Sequence, residues 1–318
     1  MSKIHLNRIG RVFLVAMAIA WTALAHAAET PIKIRIAYPS GMNGQIPVVM
    51  ERAGIAKKYG LDADYNFFQY GPPMMEALTA GSIDVVFAGP MPITSFISRL
   101  PGRALLVAQL GASSYSLMVP KDSAVKELRD LRGKRLALSY STDSQLLLLR
   151  ALRDAGIDTS KDITLINAQP NDLMSLFVQG LTDAILIRVP QVERMQEQYG
   201  ARIVQTWPFY FWAIMRADYL KQNPDARERF LETVRNAILY TANNREQAAQ
   251  WFGERLRLDA KIVLHSTGTD PLFQVNRIED VKIGITPAQQ KYLEEWAAAS
   301  LEFGLIKTRV DVQTSIAR

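Results

Sequence analysis

The chain has 318 residues and no cysteine, which excludes disulfides, thiolate metal sites, a thiol nucleophile and a lipid-modified N-terminal cysteine. Its formal net charge of +6 comes from scattered Lys and Arg residues, and this excludes the continuous basic stripe of a nucleic-acid-binding protein. A chain of this length is long for one domain but comfortable for two lobes of ordinary size.

The first 27 residues have the pattern of a secretory signal peptide. Lys3, Arg8 and Arg11 form a positive region before an apolar run that is too short to span a bilayer comfortably. Residues 25–27 read Ala-His-Ala, a small-x-small cleavage site. We therefore predict cleavage after Ala27 and a soluble, monomeric protein in a periplasm; an uncleaved membrane anchor is the less favoured alternative.

The mature chain offers little for catalysis. Removing the signal segment takes away three basic residues and no acid, which lowers the net charge to +3 and leaves His265 as the one remaining histidine. No run of the sequence combines histidines and carboxylates at metal-ligand spacing. We therefore predict that the protein is not an enzyme and holds neither a metal nor a cofactor.

One phrase occurs twice in the mature chain at a constant offset. Three pairs of equivalent residues are each 99 positions apart: Met75 and Met174, Gly81 and Gly180, and Asp84 and Asp183. Each copy predicts a short helix stopped by a glycine that can adopt positive φ. The acid then opens an apolar run, which is typical of a strand buried on both faces of a parallel sheet.

The repeat extends upstream of this phrase. Each half predicts a strand, a polar loop and a helix, at 34–37, 39–45 and 46–58 in the first half and at 134–137, 139–144 and 145–155 in the second. Strands that alternate with helices predict parallel α/β sheets with right-handed crossovers. We expect two such sheets, hence two lobes, with a ligand beyond the carboxyl ends of the strands.

The chain is predicted to cross twice between the lobes. A strand at 116–120 leaves the first half, and residues 202–215 return to it. We therefore assign 28–116 with 209–318 to lobe I and 117–208 to lobe II. Three helices are expected after the return: 224–240, 245–256 and 287–303. Two crossings form a hinge, and a cleft between hinged lobes is a ligand-binding device.

Six short phrases occur in one order along the mature chain: Gly71-Pro-Pro73, Ala80-Gly-Ser-Ile-Asp84, Val119-Pro-Lys-Asp-Ser123, residues 128–134, Gly180-x-x-Asp183 and residues 303–307. In this order they resemble the substrate-binding proteins of ABC importers of the nitrate/sulfonate/taurine type. The resemblance implies a type II periplasmic-binding-protein fold, an α/β structure of two lobes joined by a two-segment hinge. It also implies delivery of a small solute to a membrane permease driven by a cytoplasmic ATPase.

Two departures from the family concern the ligand. Sulfonate-type members tend to have an acid after the glycine that ends the first-lobe strand, where this chain has Pro90. Many members have an aromatic residue and an acid before the second-lobe proline, where this chain has Arg188 and Val189. The resemblance therefore does not identify nitrate, taurine or any one sulfonate as the solute.

Candidate ligand-binding residues lie in the two strand-end loops, at the two strand ends and in the return crossing. They are Ser40, Met42, Asn43, Gln45, Gly71, Pro72, Gly89, Pro90, Met91, Tyr140, Ser141, Thr142, Arg188 and Tyr210. The loop 139–144 precedes a helix, so its hydroxyls and N–H groups have two interpretations that the sequence supports equally: they bind an anion, or they cap the helix. Asp143 argues against a strongly anionic group at this turn unless it points away.

Arg188 follows an apolar strand and offers a planar fork for a carboxylate or sulfonate. An inter-lobe salt bridge or an exposed side chain is the alternative. The aromatic residues within 207–212 are interpreted as hinge core more readily than as a ligand platform. Met42, Met74, Met75 and Met91 lie on or beside the cleft loops and would make the pocket less polar if they line it. Together these residues predict a solute with an acid group and an apolar body.

Two other classes of function agree less well with the sequence than a transport receptor does. Thiamine-pyrimidine synthases resemble these binding proteins, but they are intracellular enzymes that depend on histidine and cysteine motifs. The effector domain of a transcription regulator would need a helix-turn-helix segment where this chain has the signal pattern. The receptor is therefore the favoured function, and an enzyme on the same fold is the alternative.

Overall fold

An eight-stranded mixed sheet runs through the computed structural model, which describes residues 30–317. The predicted signal peptide lies outside the described residues. The strands are β1 (Ile32–Tyr38), β2 (Leu61–Phe67), β3 (Val85–Ala88), β4 (Ala104–Val119), β5 (Arg135–Leu138), β6 (Thr164–Asn167), β7 (Ala184–Arg188) and β8 (Arg202–Arg216). Their order across the sheet is β2-β1-β3-β8-β4-β7-β5-β6.

Helices cover the sheet and follow the strands in sequence. They are α1 (Gln45–Arg52), α2 (Ile55–Lys58), α3 (Gly71–Thr79), α4 (Pro90–Arg99), α5 (Asp143–Asp154), α6 (Pro170–Val178), α7 (Gln191–Tyr199), α8 (Ala217–Gln222), α9 (Ala226–Asn243), α10 (Arg245–Leu256), α11 (Ala260–Thr269) and α12 (Pro287–Glu302). Among the described residues, no helix is long and apolar enough to cross a membrane.

Two parallel units form the ends of the sheet, as the repeat predicts. In the first unit, β1 pairs in parallel with β2 and β3; in the second unit, β5 pairs in parallel with β6 and β7. The prediction of two separate sheets is wrong. The 16-residue β4 and the 15-residue β8 are long enough to pair with each other along both units, so one hydrogen-bonded ladder joins them. The assignment of 28–116 with 209–318 and of 117–208 to two lobes stays a prediction.

The repeated acids form the same contacts in both units. Asp84 accepts hydrogen bonds from the Arg35 backbone N–H at 2.9 Å and from its guanidinium at 2.9 and 2.7 Å. Asp183 accepts the same three bonds from Arg135 at 2.7, 3.2 and 3.0 Å. Each acid therefore ties the start of one buried strand to the neighbouring strand, at the middle of β1 in the first unit and at the start of β5 in the second. This contact explains why the acid recurs at the same place in the phrase.

The strand ends are also built alike. Ser40 Oγ donates to the Gln69 carbonyl at 2.8 Å, and Ser139 Oγ donates to the Ala168 carbonyl at 2.8 Å. The glycines that stop the preceding helices adopt the predicted left-handed conformation, with φ of 74° at Gly81 and 69° at Gly180. Each unit therefore presents its strand-end loop in the same way.

Several predicted elements differ in extent. The helix expected at 46–58 is broken at Gly54, whose φ is 62°. The strand expected at 116–120 begins at Ala104, and the return crossing is the single strand β8. Pro224 lies before α9 rather than in its first turn, whereas Pro287 opens α12 behind a capping box. Helices α4, α7, α8 and α11 had no counterpart in the predicted elements.

The aromatic residues of the return crossing are mostly core. Phe209, Phe211 and Trp212 are buried, and Phe209 packs edge-to-face on Phe211 with ring centres 4.8 Å apart. Phe209 and Phe211 belong to the largest apolar cluster, while Trp212 belongs to a second one against α4 and α12. This placement agrees with the interpretation of the cluster as hinge core.

Candidate functional site

The carboxyl ends of the parallel strands of both units meet at a small cavity of about 30 Å³. Ser40 and Tyr70 line it from the first unit, and Ser139, Thr142 and Arg188 line it from the second. Larger open depressions of about 670 and 610 Å³ lie on the outer surface, away from these strand ends. The small cavity is therefore the candidate site, since ligands of open α/β sheets bind beyond the strand carboxyl ends.

Arg188 is the last residue of β7 and lies opposite Tyr115 of β4 in the ladder. Its guanidinium packs over Gly41 of the first unit, where an added Cβ would lie 2.5 Å from Arg188 Cζ. The Nη2 atom is buried and has no hydrogen-bond partner. An unpaired buried donor of this kind costs on the order of 1–3 kcal/mol or more. The arginine therefore has an unused donor at the cavity between the units.

Asp143 crosses between the units. It is the first residue of α5, and its Oδ1 accepts the Met91 N–H of α4 at 2.8 Å. The carboxylate lies against Gly89, where a Cβ would be 1.9 Å from Oδ2. Only 3% of the residue is exposed, and burial raises the pKa of Asp143 to about 6, an effect that the Met91 N–H and Arg188 partly oppose.

Tyr115 is a cavity residue that the sequence interpretation missed. Its ring stacks on Phe209 with centres 5.1 Å apart, and the residue pairs with Arg188 across the β4–β7 ladder. Burial raises the pKa of Tyr115 to about 12, although the charge of Arg188 opposes this shift. The predicted strand began at residue 116, so Tyr115 was left in an unassigned segment. Alternation along β4 would have been the signal, but polar residues interrupt it.

The hydroxyls of the loop 139–144 hold the loop itself. Thr142 Oγ1 donates to the Ser139 carbonyl at 2.7 Å, and Ser144 Oγ donates to the same carbonyl at 3.2 Å. No side chain caps α5, so simple capping does not describe the loop. Ser141 has a left-handed φ of 57° and is exposed, and Tyr140 is half-buried. Of these predicted site residues, Thr142 lines the cavity.

The polar candidates of the first-unit loop are bonded within that unit. Asn43 Nδ2 donates to the Phe87 carbonyl at 3.2 Å, and the Gln45 amide pairs with the Thr267 hydroxyl at 2.9 Å. Asn43 Oδ1 is buried without a partner. Met42 packs in an apolar cluster with Tyr38 and Phe252 rather than lining the cavity.

The remaining candidates shape the walls or lie elsewhere. Gly71 and Pro72 open α3, where a Cβ on Gly71 would meet Pro92 of α4 at 2.8 Å. Gly89, Pro90 and Met91 form the start of α4. Met74, Met75 and the Met91 side chain are core, so the cavity is not a methionine pocket.

Tyr210 is not brought to the cavity. It is 43% exposed and packs edge-to-face on Tyr292 of α12, with ring centres 5.1 Å apart. Within the part of the chain that the structure describes, no group of three His, Cys, Asp or Glu side chains could hold a metal ion. The cavity is therefore lined by one arginine, hydroxyls, the Gln191 amide and apolar walls. The Asp143 carboxylate lies close enough to feel the charge of Arg188 but is not part of this lining.

The chain is similar in sequence and in structure to known proteins. The family described as NMT1/THI5 like matches residues 104–248. A protein of Brucella abortus (strain 2308), named as a candidate binding protein, is 29% identical over 78% of this chain and 79% of its own length. A protein of Escherichia coli (strain K12), named as a candidate aliphatic sulfonates-binding protein, is 27% identical over 98% of this chain and 97% of its own length.

Among solved structures, the periplasmic aliphatic sulphonate binding protein SsuA from Escherichia coli matches with a TM-score of 0.73. It is 23% identical and the match covers 91% of this chain and 92% of that chain. The resemblance and the fold predicted from the sequence are therefore confirmed. The relatives are named as binding proteins, which supports the prediction of a solute-binding protein over that of an enzyme.

Proposed function

We propose that this chain, a relative of periplasmic sulfonate-binding proteins that shares their fold, is the solute receptor of an ABC importer. It captures one small organic solute with a sulfonate or carboxylate group between its two units and delivers the solute to a permease driven by an ATPase. The receptor acts as a periplasmic monomer after its signal peptide is cleaved after Ala27. Lobe I comprises 28–116 and 209–318, and lobe II comprises 117–208.

Arg188 is the observation on which this proposal depends. Its Nη2 is buried without a partner at the junction of the two units, and its guanidinium touches Gly41 across that junction. A sulfonate or carboxylate would supply the missing acceptor as a charge-assisted bond, in a setting that limits competition from water. Because Arg188 and Gly41 belong to different units, a solute held there would contact both.

The walls of the cavity suit an organic body beyond the acid group. Pro170, Leu173, Leu186 and Ile187 contribute apolar surface beside the polar residues. A volume of about 30 Å³ holds roughly one water molecule, so a solute enters only when the units separate. The strands that connect the units, β4 and β8, are where this movement would bend the chain.

Native mass spectrometry of protein purified from a periplasm identifies the retained solute. Titration calorimetry then compares butanesulfonate, butanoate and butanol with the retained solute, on the parent chain, Arg188→Ala and Arg150→Ala. Arg150 is an exposed arginine of α5 and serves as the matched control. We expect Arg188→Ala to weaken binding of the acidic compounds and Arg150→Ala to leave it unchanged. Tight binding of a neutral solute with no dependence on Arg188 would disprove an acidic-solute receptor.

The export part of the proposal has its own test. N-terminal sequencing of periplasmic material should begin at Ala28, and gel filtration should give a monomer. Material that begins at Met1, or that is recovered with membranes alone, would contradict export with cleavage. Among the described residues, no observation at the site favours the alternative enzyme, so it is not proposed.

A further inference from the structure

The start of helix α4 has unusually few free donors. The first four N–H groups of a helix normally lack intrahelical partners and can bind an anion together. In α4 two of these positions are Pro90 and Pro92, which have no N–H. The Ile93 N–H bonds to the Gly89 carbonyl at 3.4 Å. The Met91 N–H is therefore the one donor of this first turn that can serve an outside group.

Asp143 of the second unit already uses this donor. Its Oδ1 accepts the Met91 N–H at 2.8 Å, and the residue is buried. The carboxylate fits because Gly89 has no side chain at the point of contact. Asp143 is also the first residue of α5, so the positive ends of two helix dipoles meet at one carboxylate. The chain thus places its own anion where an inorganic oxyanion would otherwise bind.

We propose that Asp143 is a specificity-determining residue that excludes small inorganic oxyanions, such as sulfate, from the cleft between the two units. Arg188 then remains as the contact for the acid group of the solute. The proposal rests on the proposed receptor function and narrows its solute class. A dianion at the cleft would meet the buried carboxylate as a like charge and would find the Met91 N–H occupied. A solute with one acid group can bond to Arg188 and direct a neutral body along the apolar walls.

Sulfate is the probe that tests this exclusion. Sodium sulfate is titrated into the ligand-free parent and variants by calorimetry, with sodium chloride of matched ionic strength as the blank. Asp143→Ser removes the charge and is too short to reach Met91, so it frees the donor. We expect no sulfate binding to the parent at millimolar concentrations, and at least about tenfold tighter binding to Asp143→Ser. Asp143→Thr carries the same test if the serine variant does not fold.

Two further variants separate the occupied donor from the charge. Asp143→Asn removes the charge but keeps an acceptor for the Met91 N–H, so its gain in sulfate affinity should be well below that of Asp143→Ser. Gly89→Ala displaces the carboxylate, because the new Cβ would lie 1.9 Å from Oδ2, yet keeps the charge in the cleft. We expect no gain for it.

Three results would overturn the proposal: sulfate binding to the parent, no gain in Asp143→Ser and Asp143→Thr, or a gain in Asp143→Asn or Gly89→Ala that equals that of the serine variant. Each readout uses sulfate and leaves Arg188 intact. The sulfate titrations can therefore disprove the exclusion by Asp143 without disproving the receptor function. The receptor function is tested separately, by the binding of the organic solute and its dependence on Arg188.

Discussion

Asp84→Ala should destabilise the protein more than Asp183→Ala, although both acids form the same three bonds to an arginine. The side chain of Asp84 is 4% exposed, and Arg216 lies 3.8 Å away as a second cation. The side chain of Asp183 is 34% exposed and faces Arg135. Removing Asp84 leaves the Arg35 backbone N–H and the 16%-exposed Arg216 without their carboxylate, whereas the Arg35 guanidinium is 39% exposed and stays partly hydrated. The cost is therefore roughly 2–3 kcal/mol, below that of a fully buried pair.

An exposed pair is worth at most about 1 kcal/mol, and the lost bond to the Arg135 backbone N–H adds about 1 kcal/mol. We therefore expect losses of about 2–3 kcal/mol for Asp84→Ala and about 1–2 kcal/mol for Asp183→Ala. Urea unfolding followed by circular dichroism gives both values from the shift in midpoint at constant slope. Equal losses, or a larger loss for Asp183→Ala, would show that burial does not set the strength of these pairs.

Three other outcomes follow from the site. Arg188→Lys keeps the charge but loses the planar guanidinium, so calorimetry should show a moderate loss of solute affinity. Arg188→Ala should lower the affinity by roughly tenfold to a hundredfold. Neither variant should change the melting temperature of the free protein by much. Gly41→Ala should weaken solute binding, because the Cβ would lie 2.5 Å from Arg188 Cζ and displace the guanidinium, while the φ of −80° leaves the loop backbone unstrained. Burial raises the pKa of Asp143 to about 6 beside Arg188, Tyr115 and Tyr292. The form in which Asp143 lies against Met91 of the other unit, here called the closed form, therefore takes up a proton below that pH. Its unfavourable buried charge is present above pH 6 and relieved towards pH 4, so small-angle scattering should show more closure at low pH, and Asp143→Asn should not respond.

The order of the helices and strands in the two units could be predicted because short local sequence patterns determine each element. Apolar runs, stopping glycines and the acids Asp84 and Asp183 recur at one spacing, and each marks its own element. The length of β4 could not be predicted in this way. Its polar residues are bonded only after folding, as when Ser116 Oγ pairs with Thr206 Oγ1 at 2.9 Å. A polar residue in a strand whose partner is 90 positions away looks like a loop residue in sequence.

The residues of the candidate site also fall into two groups, those that local sequence could predict and those that it could not. Arg188 was identified because an arginine directly after four apolar strand residues must project at the strand end. The seat of Asp143 could not be foreseen, since its donor, Met91, and its contact, Gly89, belong to the other unit. Asn43 and Gln45 were predicted as donors to a solute, but Phe87 and Thr267 take up their amides. Local sequence shows which groups a loop has, and tertiary contacts decide which stay available.

The shared β4–β8 ladder has a consequence for how this protein can be divided. Both strands belong to the first unit at one end and to the second at the other. A gene fragment that encodes either unit by itself would leave a sheet edge with unpaired N–H and C=O groups, a template for aggregation. Neither unit is therefore a module that can be expressed, swapped or inherited independently. A proteolytic cut within β4 or β8 should unfold both units together and should not release one of them intact.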